Sequence, residues 1–293
     1  MFIVPVTKKS EIIAYSLVHS IYNYSSKLQL IGTIMSKATI KFNFKQKKVL
    51  ITGGTSGIGE ATAVAFVNSG ARVMISGRNR DRAEAIISQL RNAPGSIDFI
   101  QGDISLSEEC NRIVAHSNKA LGGLDIVVNC AGIIYHATAE ETSNSQWNDT
   151  MNVNVSGMFY ICRAAIPILK TRGGTIVNIA SDAALTGSHH LTAYCASKGA
   201  VLQMTRAMAL DYAKDGIRIV PICPGDVDTP MLRGEFRDRG IDAAAGLEES
   251  AAGVPLNRVC SAEEVAHMVL YAASDSARFI TGYPLVLDGG NRA

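Results

Sequence analysis

From Lys48 onward the chain alternates short, wholly apolar runs with longer stretches whose apolar positions recur every three or four residues. A short apolar run bounded by turn residues predicts a strand covered on both faces, and the longer period predicts a helix with one covered face. Lys48–Thr52 predicts the first strand, followed by a glycine-rich turn and a helix to about Asn68. Arg72–Ser76 (strand), Asp81–Leu90 (helix), Ile97–Gln101 (strand) and Ser107–Ala120 (helix) continue the alternation. Leu124–Asn129 predicts a strand, and Ser145–Lys170 one long helix that contains Asn154 and tolerates Pro167 near its end. Then come a strand over Thr175–Ala180, a long helix from Tyr194 to about Asp215 and a strand over Ile217–Ile222. A helix over Ala262–Ala273 and a strand over Leu285–Leu287 close the pattern.

Seven strands alternating with six helices predict an α/β fold: a single doubly wound Rossmann-type domain with a seven-stranded parallel sheet. Right-handed crossovers put every strand's C-terminal end on one edge, where ligands bind. Gly53, Gly77, Asp103, Asn129, Ser181 and Pro224-Gly225 all fall at or just past such ends. For Asp103 and Asn129 taken singly, a turn-forming role explains the residue as well as ligand contact does.

Two stretches carry chemistry. Gly53-Gly54-Thr55-Ser56-Gly57-Ile58-Gly59 lies between a strand and a helix, so glycines let the backbone approach a pyrophosphate at a positive helix end. Its spacing is GxxxGxG rather than GxGxxG. In Tyr194-Cys195-Ala196-Ser197-Lys198, residues four apart share one helix face, so a phenol and an ammonium can meet. A positive charge about 4 Å away is worth roughly 4 kcal/mol at an effective dielectric of about 20, enough to lower a phenol's pKa substantially. Alone, such a pair is most simply a surface contact; its meaning comes from its company.

Composition excludes several classes. The six cysteines stand singly, with no CxxC pair and no His/Cys ligand spacing, so neither a disulfide framework nor a metal site is expected and a cytoplasmic setting is. The net charge of +2 conceals an asymmetry. Residues 1–48 hold eight lysines and one acid, Glu11, whereas residues 49–293 carry a net −5, which offers no broad attraction for nucleic acid. Residues 1–45 read as an N-terminal extension, poorly ordered or helical. Ile12–Met35 is too often interrupted by polar residues to span a membrane and lacks a compact signal-peptide core. A transit peptide normally carries arginine, and none precedes Arg72. Met35 is an alternative start of the working chain.

In this company the sequence resembles the short-chain dehydrogenase/reductase family. The resemblance rests on Thr52-Gly53-Gly54-Thr55-Ser56-Gly57-Ile58-Gly59, Asn129-Cys130-Ala131-Gly132, Ser181 thirteen residues before Tyr194, the Tyr194–Lys198 stretch, Pro224-Gly225, Thr281-Gly282 and Asp288-Gly289-Gly290. One departure is Cys130, where the family usually has a second Asn. The resemblance implies a nicotinamide dinucleotide across the strand edge and a catalytic set of Asn154, Ser181, Tyr194 and Lys198. Tyr194 would exchange the substrate proton, Ser181 would hydrogen-bond the substrate oxygen, and Lys198 would lower the Tyr194 pKa and hold the nicotinamide ribose. Asn154 would position a water in the proton relay. Cofactor contacts would come from Gly53, Thr55, Ser56, Gly57, Ile58, Gly59, Arg78, Asp103, Ile104, Asn129, Ala131, Gly132, Tyr194, Lys198, Pro224, Gly225, Val227 and Thr229. It also implies a homotetramer or homodimer built through Val259–Leu287.

The second strand bears on which cofactor. A carboxylate at position 77 would bond both ribose hydroxyls and repel a 2′-phosphate, favouring NAD. Gly77 stands there and Arg78 follows, which favours NADP(H), with NAD(H) open should Arg78 stack on the adenine or face solvent. Residues 226–255 read as a short helical lid over the substrate. Its Arg233, Arg237 and Arg239 either attract an anionic substrate or form a solvated face, the simpler account. His189 and His190 lie in the preceding loop. An apolar wall with few fixed charges predicts a ketone or secondary alcohol of modest size.

Overall fold

Parallel pairing on both sides of one central strand builds the sheet. In the computed structural model, which describes residues 41–293, β1 (Lys48–Thr52) pairs with β2 (Arg72–Gly77) on one side and β4 (Ile126–Asn129) on the other. β3 (Ser96–Gln101), β5 (Gly174–Ile179), β6 (Ile217–Pro224) and β9 (Leu285–Leu287) complete the order β3-β2-β1-β4-β5-β6-β9, all parallel. The expected seven-stranded sheet is therefore present. Because the chain winds outward from β1 to β3 and returns to β4, the order reverses at the C-terminal end of β1, and a crevice opens there.

Alternation along each strand divides the core into two layers. Leu50, Met74, Val127, Ile176 and Ile219 face one layer, formed with α3 (Ser107–Leu121), α5 (Met158–Leu169) and α6 (Thr192–Tyr212). Val49, Ile51, Val73, Ile75, Val128 and Val220 face the other, against α1 (Gly57–Asn68) and α9 (Ala262–Ala273). Helix α2 (Arg80–Gln89) flanks β2 and β3.

Three features depart from the sequence reading. The domain begins earlier than residue 46: Phe44 is buried, its ring edge-on to Phe66 at 4.8 Å, and its amide N–H donates to the Ser69 carbonyl. The rest of the expected extension, residues 1–40, lies outside the described residues. The single helix expected over 145–170 is instead three segments, α4 (Asn144–Thr150), a π-helical stretch (Met151–Gly157) and α5. The wider turn surrounds Asn154 and lets Gly157 approach the loop after β3, where a Cβ would stand 2.7 Å from the Ile104 carbonyl oxygen. Finally, residues 226–255 form α7 (Pro230–Asp238) and α8 (Ala243–Ala252), tethered by a two-residue pairing of β7 (Val227–Asp228) with β8 (Cys260–Ser261). Among the described residues no helix is long and apolar enough to cross a membrane.

Phe44→Ala removes a buried ring from a layer that cannot fully collapse around the loss. It should lower unfolding free energy by about 3–5 kcal/mol. Urea denaturation checks this; wild-type stability would exclude residues 42–46 from the core.

Candidate active site

The crevice at the end of β1 is a cleft of about 260 Å³ floored by the glycine turn. Gly53 adopts φ +66 and sits so near the β4 loop that a Cβ would lie 2.7 Å from the Ala131 backbone, so turn and loop form one continuous floor. Ser56 precedes α1 without capping it through its side chain, which leaves the first-turn N–H groups and the positive helix end at the cleft. These are the requirements of a phosphate site.

At the outer end of the cleft, a side chain at Gly77 would crowd Thr55, with its Cβ 2.9 Å from Oγ1. Arg78 and Arg82 stand exposed on the cleft wall, and among the described residues neither is ion-paired. Ser76 also lines this wall, its hydroxyl buried and without a hydrogen-bond partner among the described residues. Asp103 shows its turn-forming role at the edge of the cleft. It borders the cleft, and its Oδ1 accepts the Ser105 N–H at 2.9 Å in a turn. A nicotinamide dinucleotide fits this set: a phosphate-ready helix end, a backbone-only floor and polar groups at the outer wall.

The cleft shares Ile58, Cys130, Gly132, Thr229 and Met231 with a second cavity of about 340 Å³, so the two are continuous. Here Ser181, just past β5, meets Tyr194 and Lys198 from the first turns of α6. The buried Lys198 ammonium donates to the Ile179 carbonyl at 2.8 Å and lies 5.5 Å from the Tyr194 ring centroid. Burial pulls its pKa from the ordinary 10.5 down to about 8. Burial also drives the Tyr194 phenol above its ordinary value; the Ser181 hydroxyl opposes this, while Glu235 and Asp182 add to it.

Most sequence-predicted residues converge. Gly53, Thr55, Ser56, Gly57, Ile58, Gly59, Arg78, Asp103, Ile104, Ala131, Gly132 and Thr229 border the first cleft, and Pro224, Gly225 and Val227 border the second cavity. Thr229 has a second task, since its side chain caps α7 by accepting the Leu232 N–H. One residue sits elsewhere. Asn129 points below the floor, where its Nδ2 donates to Asn178 Oδ1 at 2.8 Å; Asn178 in turn donates to Thr205 Oγ1 at 2.9 Å, tying β4 and β5 to α6. The Asn154 side chain is held by the chain itself: Oδ1 accepts the Ile133 N–H, and Nδ2 donates to the Ile133 carbonyl and Ser197 Oγ. It pins the loop after β4 to α6.

Sequence reasoning missed the polar part of the second cavity. Asp182, Asp226, Glu235 and Arg292 line it, which corrects the expectation of few fixed charges. Burial raises Asp226, and burial with Asp226 nearby raises Glu235 to about 7. No local pattern marks these residues; Arg292 reaches the site from 110 positions away. The lid arginines do belong to a solvated face: Arg233 pairs with Asp228 at 2.6 Å and Arg239 with Glu249 at 2.7 Å. His190 stacks on His136 at 4.9 Å.

The family model described as short chain dehydrogenase matches residues 47–240. An uncharacterized oxidoreductase of Thermotoga maritima is 36% identical, over 86% of this chain and 99% of the relative. The 3beta-hydroxysteroid dehydrogenase of Mediterraneibacter gnavus is 35% identical, over 84% of this chain and 95% of its own. A solved structure from Brucella melitensis, titled as a short-chain dehydrogenase/reductase of the glucose/ribitol dehydrogenase type, superposes with a TM-score of 0.79 at 31% identity, covering 87% of this chain and all of that one.

A buried lysine whose pKa falls on folding binds fewer protons in the folded chain than in the unfolded one between about pH 8 and 10.5. Its destabilisation is complete below that window and fades as pH rises through it. Lys198→Met should therefore be more stable than the parent at neutral pH by roughly 1–2 kcal/mol, net of the lost Ile179 bond, with the gap narrowing towards about pH 10. Urea titrations at several pH values check this; a variant less stable at pH 7 would count against the buried-charge cost.

Proposed function

The chain belongs to the short-chain dehydrogenase family and is an oxidoreductase of it, and on that premise we propose an NADP(H)-dependent enzyme acting on a carbonyl/secondary alcohol pair with Tyr194 as its general acid/base. The observation that carries this reading is the meeting of Tyr194, Ser181 and Lys198 in a cavity continuous with a glycine-floored cleft. When bound, the nicotinamide dinucleotide supplies the hydride exchanged with the substrate carbon. The chain's residues do the rest.

A phenol held above its ordinary pKa stays protonated at neutral pH, the form that donates to a developing alkoxide in the reductive direction. In the oxidative direction the same oxygen takes the proton back, so oxidation is favoured as pH rises. Ser181 offers a second hydroxyl at the same substrate oxygen. Lys198 places a cation beside the phenol and the dinucleotide cleft, favouring charge on either. The glycine turn with the first turn of α1 would hold the pyrophosphate, and Asp103 with Ile104, which line the same cleft, would contact the adenine.

For the cofactor, Gly77 leaves no carboxylate against a 2′-phosphate, and Arg78, with Arg82 beside it, offers guanidinium donors to one. NAD(H) remains the second reading, in which both arginines face solvent. A homotetramer or homodimer is supported by the exposed apolar surface of Phe279, Tyr283 and Val286 within the C-terminal segment. Sedimentation checks the assembly, and a monomer at micromolar concentration overturns it.

Tyr194→Phe should bind NADPH as the parent does, by fluorescence titration, yet lose roughly a hundredfold or more in kcat on small ketones. Near-parental turnover would remove Tyr194 from the mechanism. Arg78→Ala should lower kcat/KM with NADPH by roughly tenfold to a hundredfold while leaving the NADH value nearly unchanged. A parent enzyme that prefers NADH would overturn the cofactor assignment.

A further inference from the structure

The closing Asp288-Gly289-Gly290 stretch takes no part in the reaction proposed above, yet it folds the chain's end onto the site. The Asp288 carboxylate accepts the Gly290 N–H at 3.0 Å and the Arg292 N–H at 2.9 Å, a turn that caps the tail. Gly225, beside the cavity, packs against Asp288 and donates its N–H to the Leu287 carbonyl, which locks that turn to the end of β6. From it the Arg292 guanidinium reaches Asp182, with both Nε and Nη2 3.3 Å from Oδ2. The Asp182 side chain is only 13% exposed. Its other oxygen, Oδ1, accepts the Ser181 hydroxyl proton at 3.1 Å, while Ser181 Oγ accepts the Ala183 N–H.

Asp182 is therefore a competitor. A hydroxyl that donates to a carboxylate is not donating to a substrate oxygen, and a carboxylate facing Tyr194 discourages ionisation of the phenol. Arg292 acts on both by drawing charge towards Oδ2. We propose that Arg292 is a positioning residue for the reaction, acting through Asp182 to free the Ser181 proton for the substrate oxygen and to offset the negative charge facing Tyr194. The proposal rests on the roles given above to Ser181 and Tyr194. Other groups face the same space: Lys198 and Cys195 from α6, Cys223 from β6, Asp226 from the following turn and Glu235 from the lid. The carboxylates among them are why one guanidinium matters, since without it Asp182, Asp226 and Glu235 are left, among the described residues of the cavity lining, with Lys198 alone as a cation.

The test compares the full-length parent with Arg292→Met, Arg292→Lys, Asp182→Asn and the double variant Arg292→Met/Asp182→Asn. Turnover of a panel of small ketones and secondary alcohols with NADPH or NADP is measured across pH. In parallel, 19F NMR follows the ionisation of difluorotyrosine at position 194, assigned through Tyr194→Phe, a readout that needs no turnover. Arg292→Met should lose about tenfold in kcat with KM little changed, and its ionisation midpoint should rise by roughly half to one pH unit. NADPH affinity and melting temperature should stay near parental. Arg292→Lys should retain most of the activity, and adding Asp182→Asn to Arg292→Met should return the midpoint towards the parent value. An Arg292→Met variant with parental kcat and an unmoved midpoint overturns the proposal and leaves the tail a structural closure. Retained turnover in Ser181→Ala or Tyr194→Phe would instead defeat the reading of the site itself, so the two failures are told apart.

Discussion

Parallel pairing on both sides of β1 is the constraint on which the remaining structure depends. A strand buried on both faces carries mainly apolar side chains along its length, and any polar one must find a partner, so polar function gathers at its ends. Register then aligns Thr52 with Ser76 and Asn129, and the loops that follow leave the sheet at one level. Gly53 closes the gap between the β1 turn and the β4 loop because only a residue without a Cβ fits against Ala131. The dinucleotide cleft follows from that packing rather than from any one residue.

Ser181, Tyr194 and Lys198 sit where the sheet's polar ends meet α6, and the cost of burying them is visible in their electrostatics. Lys198 is desolvated and compensated by one carbonyl, and Tyr194 is held in its neutral form. Such an arrangement persists because its surroundings leave it no alternative. The buried Asn129–Asn178–Thr205 chain fixes α6 against the sheet, and Asn154 fixes the loop after β4 against α6. Buried polar side chains thus hold in place the helix that carries Tyr194 and Lys198.

The fold and the cofactor side of the site were legible because their signals are local. Apolar runs mark strands, a glycine turn between strand and helix marks a phosphate site, and four-residue spacing marks a shared helix face. Asn129 was misplaced because a strand-end residue points up or down by pleat alone, and the sequence does not say which of the two spaces holds a polar partner. The π-helical turn at Met151–Gly157 escaped notice because it keeps helical periodicity while shifting it by one residue.

By itself, then, the sequence determined the doubly wound architecture, the glycine floor and the Tyr194–Lys198 pairing, since each depends on periodicity or spacing within a few residues. Only the tertiary structure decided the charge balance of the substrate cavity. Asp182, Asp226, Glu235 and Arg292 come from a strand end, a turn, a lid helix and the chain terminus, and they meet only when the sheet is closed. It also decided the burial of the pair, which no spacing reveals and which pushes the Tyr194 phenol up and the Lys198 ammonium down.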